Sequence, residues 1–134
     1  MKREWVFWSS IVGFFVVSLL GVAAHEWYRL SGNHPLVGIF APTDESVREH
    51  LMLLLFPYLV YVLGEIIVFG RHRKDFVRYR MIGLLCGLAV IPLVYYTYTL
   101  FTGDSILAVD ILLFFLSVGV SFYVSAERLL RSMP

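Results

Sequence analysis

Two histidines, three carboxylates and two tyrosines fall where one end of a helical bundle would gather them: His25, Glu45, Glu49, His50, Asp110, Tyr95 and Tyr96. Imidazoles titrate near neutral pH, so they can carry a proton or ligate a metal. Carboxylates at the same depth could hold a cation or exchange a proton with them. His25, His50, Glu49 and Asp110 together could also bind a divalent metal such as zinc. No His-x-x-x-His or Cys-x-x-Cys spacing accompanies that reading. Ser46 and His50 stand four apart, the spacing of a nucleophile and its base on one helix face, and His25 with His50 could in principle clasp a haem.

Each of these residues also has a structural reading. Ser46 and Glu49 have the spacing of a capping box. Glu45 suits the positive end of a helix dipole. The histidines suit a wet interface, and the tyrosines, with Tyr98, suit an aromatic belt. Asp110 is harder to explain in this way, because it lies about one turn inside the start of its apolar run. Its structural reading is a hydrogen bond to a tyrosine or a histidine.

The elements that must position these groups are four apolar runs, at 5–24, 51–69, 81–101 and 106–126. Each is about 20 residues, the length that crosses a ~30 Å hydrocarbon core as a helix. In lipid a helix satisfies every backbone polar group internally. The chain has 134 residues, 59% of them apolar and only 16% charged, with a mean hydropathy of +0.77. The expected fold is therefore all-α: a polytopic membrane protein, one transmembrane domain over 1–134, built as a bundle of four transmembrane helices. No phosphate-cradling glycine loop or nucleic-acid module is present. The lipid bilayer is the first partner this composition implies.

Charge is sorted by side. Lys2, Arg3, Arg71, Arg73, Lys74, Arg78, Arg80, Arg128 and Arg131 flank span ends that share one face; Arg29 and Arg48 lie on the other. Nine against two predicts that both termini and a basic loop at 70–80 are cytoplasmic, while the loop at 25–50 and the turn at 102–105 face outward. The first run is too long for an ordinary signal peptide and is read as a retained helix. Cys86 falls in mid-span and reads as a small buried hydrophobe. Glu65 lies near the inner edge, where it could snorkel or pair with Arg71 or Arg73. The apolar stretch 36–41 is too short to cross and would dip into the interface or cover the bundle mouth.

Two polar stripes recur at helical spacing: Ser10, Phe14, Ser18, Gly21 and His25 in the first span, and Asp110, Phe114, Ser117, Ser121 and Ser125 in the fourth. Gly83 and Gly87 form a GxxxG pair in the third, the expected seat of the closest helix contact, within the chain or across a homodimer.

The stretch 25–65 resembles a family of small, uncharacterised bacterial four-helix membrane proteins. His25, Tyr28, Ser31-Gly32-Asn33 with Pro35, Phe40 with Pro42, Glu45-Ser46, Glu49-His50, Phe56-Pro57 and Glu65 carry the resemblance. It implies a bacterial origin, hence an inner-membrane location, and a shared outer-loop motif; it brings no catalytic residues. Three functions stay open at this point. The first is binding or transport of a cation, proton or small polar solute at the outward polar site. The second is a structural or accessory membrane subunit without chemistry. The third is a membrane-embedded enzyme using a metal on His25, His50 and a carboxylate.

Overall fold

The structure, a computed structural model, describes residues 2–40, 47–70 and 74–134. Its helices are α1 (Arg3–Leu30), α2 (Pro35–Phe40), α3 (Val47–Glu65), α4 (Lys74–Thr102) and α5 (Leu107–Ser132). A π-helical turn, Ile66–Gly70, extends α3. Among the described residues there is no strand. Four helices, all but the short α2, are long and apolar enough to cross a membrane. Large apolar side chains such as Phe15, Leu19, Leu93 and Leu112 point away from the bundle, as expected of a surface solvated by lipid.

The helices outrun the apolar stretches that predict them. α1 has 28 residues and α4 has 29, so each is ~40 Å long at 1.5 Å per residue. The added turns are charged, and pairs one turn apart support them: Glu26 with Arg29 on α1, and Glu127 with Arg131 at 2.7 Å on α5. α1 stops where Gly32 and Asn33 take left-handed backbone, at φ 73° and 61°. The Asn33 N–H then reaches back to the Tyr28 carbonyl at 3.0 Å, a helix-ending arrangement that suits these two residue types. The start of α1, the π-helical turn after α3, the start of α4 and the end of α5 lie at one end of the bundle, the terminal end. The end of α1, α2, the start of α3 and the α4–α5 turn lie at the other, the loop end.

α4 and α5 make the most extensive contact between any two elements. Gly83 and Gly87 pack on Ser117, Ser121 and Ser125, all five buried. A Cβ at Gly83 would overlap the Ser121 carbonyl, and one at Gly87 would overlap the Ser121 hydroxyl. The backbones meet this closely only because glycine faces serine. The serine hydroxyls do not go unpaired: Ser117, Ser121 and Ser125 donate to the Phe114, Ser117 and Phe122 carbonyls at 2.6, 2.8 and 3.1 Å. The GxxxG face is thus occupied within the chain.

The main apolar core lies between α1, α3, α4 and α5, with Leu54, Tyr58, Val17 and Val118 at its centre. A smaller cluster of Val6, Phe76, Leu129 and Met133 closes the terminal end. Between the two sits Arg80, with 0% of its surface exposed. Its Nε and Nη2 donate to the two oxygens of Glu65 at 2.9 and 2.6 Å. Nη2 also donates to Ser9 Oγ at 3.2 Å, and Nη1 to Ser10 Oγ and Ser125 Oγ at 3.0 and 2.8 Å. A guanidinium has five N–H donors, and all five are used. The partners come from α1, α3 and α5, so one side chain of α4 joins the four long helices. Phe76 and Phe122 lie against the guanidinium, 5.3 and 5.4 Å from ring centre to Cζ.

This arrangement corrects the sequence-based picture of 70–80 as a basic loop. Helix α4 begins at Lys74, and Arg80 points inward rather than toward lipid headgroups. Glu65 pairs with Arg80; Arg71 and Arg73, the partners expected from the sequence, lie outside the described residues.

Removing one partner of this pair leaves the other charge buried and uncompensated. Arg80→Met is expected to destabilise the bundle by about 3–5 kcal/mol, and Arg80→Met combined with Glu65→Leu to recover most of that loss. Thermal or denaturant unfolding of the purified protein in detergent measures both. Gly87→Ala is expected to cost about 1–3 kcal/mol through overpacking. Gly64→Ala, where an added Cβ meets nothing within 4 Å, is expected to be neutral or stabilising by up to ~1 kcal/mol. Equal effects at the two glycines would sink the packing argument.

Candidate functional site

The loop end holds the polar side chains that the sequence singles out. α1 delivers His25 and Glu26 in its last turns, α3 delivers His50 in its first described turn, and α5 delivers Asp110 in its first turn. All four line one cavity of about 420 Å³ between these three helices. Its lower wall is apolar: Gly21, Leu53, Ile111, Phe114 and Phe115. Gly21 sets the width there, since a Cβ at that position would run into the Phe114 ring and come within 3.2 Å of the Leu53 carbonyl.

Asp110 is the anchor. It is 2% exposed, and the Tyr98 hydroxyl donates to its Oδ1. The same hydroxyl accepts from the Ile106 N–H at 3.2 Å, so Tyr98 ties the last turn of α4 to the first turn of α5. The tight α4–α5 turn makes this possible: Gly103, at φ 79°, ends α4 with its N–H 2.8 Å from the Thr99 carbonyl. One oxygen of Asp110 is therefore fixed by a phenol while the side chain borders the cavity. A carboxylate held in this way can accept from, or neutralise, a cationic group without reorganising.

The other members differ in kind. His25 is half-exposed and stands 3.8 Å from Glu26, which also pairs with Arg29. His50 is half-buried. Glu49 is buried but does not line the cavity. Glu45 lies outside the described residues, as does Ser46. Tyr95 is half-buried and packs edge-on against Tyr98 at 5.6 Å between ring centres. Tyr96 turns outward, 62% exposed, and takes no part. Tyr98, which the sequence places in an aromatic belt, is the tyrosine that reaches the site. The chain brings together His25, His50 and Asp110, and leaves Tyr96 apart. Among the described residues, no three His, Cys, Asp or Glu side chains converge closely enough to hold a metal ion.

At the terminal end, Arg80 is the buried group that counting charges overlooks. A signal for it does exist in the sequence. Arg80 precedes Gly83 by three residues and Gly87 by seven, and follows Phe76 by four, which puts it on the packed face of the helix. Basic residues next to a span read as topology signals unless that register is followed back past the apolar run.

No curated protein and no solved structure shows a significant match to the chain. A family model does match, over residues 2–127, nearly the whole sequence, from the start of α1 into α5. The chain therefore belongs to DUF6512, a family of unknown function.

Proposed function

We propose that this is a small membrane-embedded binding protein whose loop-end cavity faces outward and takes a solute with a cationic group and an apolar body. The observation that carries the reading is the placement of Asp110, buried, anchored by Tyr98 and bordering a cavity whose other lining is apolar apart from His25, Glu26 and His50. Glu26, paired with Arg29, stands at the rim, and His25 and His50 add imidazoles to the lining. Leu53, Phe114 and Phe115 offer contact to an apolar body, with Phe rings available to a cation's face.

Binding suits the geometry better than conduction through one chain. By helical register, the core of Leu54, Tyr58, Val118 and Phe122 lies directly beyond the cavity floor. Further on, every N–H of Arg80 is already engaged. A path across the bilayer would have to open both layers.

The outward orientation rests on charge. Arg80 is buried and does not act as a loop charge, which leaves eight of the nine basic residues at the terminal end against Arg29 and Arg48 at the loop end. That asymmetry still favours cytoplasmic termini. In a Cys86→Ala background, a membrane-impermeant maleimide is expected to label Asn33→Cys in intact cells and Ser132→Cys only after permeabilisation. The reverse pattern would overturn the orientation.

Calorimetric titration of the purified protein with benzyltrimethylammonium tests the ligand class. Saturable binding is expected, with Asp110→Asn weakening it about tenfold or more through loss of a charge-assisted contact. His25→Ala, at a half-exposed position, should do less. If a neutral isostere of the same shape binds as tightly as the cation, the acids are not reading charge and the proposal fails.

A further inference from the structure

A second cavity, of about 490 Å³, opens beside α3 at the loop end. Its wall on α3 is a single line of that helix: Arg48, Met52 and Phe56, each four residues from the next. Tyr28 of α1 and Ile39 of α2 close it. A cation and a phenol thus stand near the helix ends, and apolar side chains run from them toward the middle of the span.

Arg48 is the unusual member. It is exposed and forms no hydrogen bond or ion pair with any described residue. It is one of two basic residues at this end of the bundle, and the other, Arg29, is neutralised by Glu26. It also lies in the first described turn of α3, where the helix dipole disfavours a cation. A guanidinium with no partner among the described residues, on the wall of a cavity, is suited to an anion. Guanidinium recognises phosphate through paired hydrogen bonds. With its π-helical turn α3 is ~35 Å long, enough to cross the ~30 Å hydrocarbon core and bring its first turn to the headgroup layer, which is where lipid phosphates lie.

We propose that this cavity seats one anionic phospholipid, its phosphate on the Arg48 guanidinium and the Tyr28 hydroxyl, and an acyl chain along Met52 and Phe56. The site is separate from the Asp110 cavity and does not depend on what that cavity binds. Charge complementarity selects the head, and the apolar line on α3 selects a molecule with a chain over a free anion.

Native mass spectrometry and thermal unfolding of the full chain in neutral detergent test this, with phosphatidylglycerol, phosphatidylcholine and inorganic phosphate as probes. The expected result is one phosphatidylglycerol retained per chain and a saturable rise in Tm, with phosphatidylcholine about tenfold weaker. Arg48→Gln should remove that preference, and Arg48→Lys should keep part of it, because a point charge lacks the paired geometry. Arg78→Gln, an exposed cation at the opposite end, should leave it intact. The proposal is overturned if Arg48→Gln retains phosphatidylglycerol as tightly as the unaltered chain, or if phosphatidylcholine matches it. It is also overturned if inorganic phosphate alone produces the Arg48-dependent shift.

Discussion

A charge buried within a membrane-spanning bundle must have every donor met, and Arg80 dictates much of the architecture for that reason. Its five N–H groups reach Glu65, Ser9, Ser10 and Ser125. Those residues belong to α1, α3 and α5, so the requirement fixes how four helices sit at one depth. Leaving any of the donors empty in low dielectric is unfavourable, which makes the geometry restrictive. The π-helical turn starts at Ile66, directly after Glu65. Wide turns of this kind tend to occur where a helix departs from its regular register at a site that matters.

Small residues supply the second constraint. Lipid offers no hydrophobic drive for helices to associate, so close packing must hold them together. Gly83 and Gly87 against Ser117 and Ser121 bring α4 and α5 to backbone contact, and Gly13 and Gly21 admit the rings of Phe122 and Phe114 against α1. The serine on this seam that also serves Arg80 is Ser125, which lies against Gly83 and accepts from Nη1. Packing and the polar network are therefore one structure at the terminal end.

The two ends of the bundle differ in how their polar groups are used. At the terminal end the ionisable pair is saturated and enclosed. At the loop end Asp110 is half-committed, held by Tyr98 on one oxygen, and the groups around it border open volume. Arg48, on the far side of α3, borders another. A saturated network rigidifies, and incompletely committed groups can meet a ligand. This contrast is the basis of the proposal that one end serves stability and the other binding.

Much of this was legible in the amino-acid sequence. Four apolar runs of membrane-crossing length imply an all-helical bundle, because hydrocarbon leaves the backbone few other ways to pair. The stripe Asp110, Phe114, Ser117, Ser121 and Ser125 follows from the helical period, and all five residues are buried. The common depth of His25, His50 and Asp110 follows from counting residues from each helix end. Tertiary structure decided the partners. That Arg80 turns inward to meet Glu65 depends on α4 starting at Lys74, and charged residues continue a helix as readily as they end one. Whether Tyr96 or Tyr98 faces Asp110 depends on a 200° difference in helix azimuth, set by how α4 docks on α5. Local period and hydropathy are properties of a segment. Pairing of buried polar groups is a property of several segments packed together, and only the folded chain displays it.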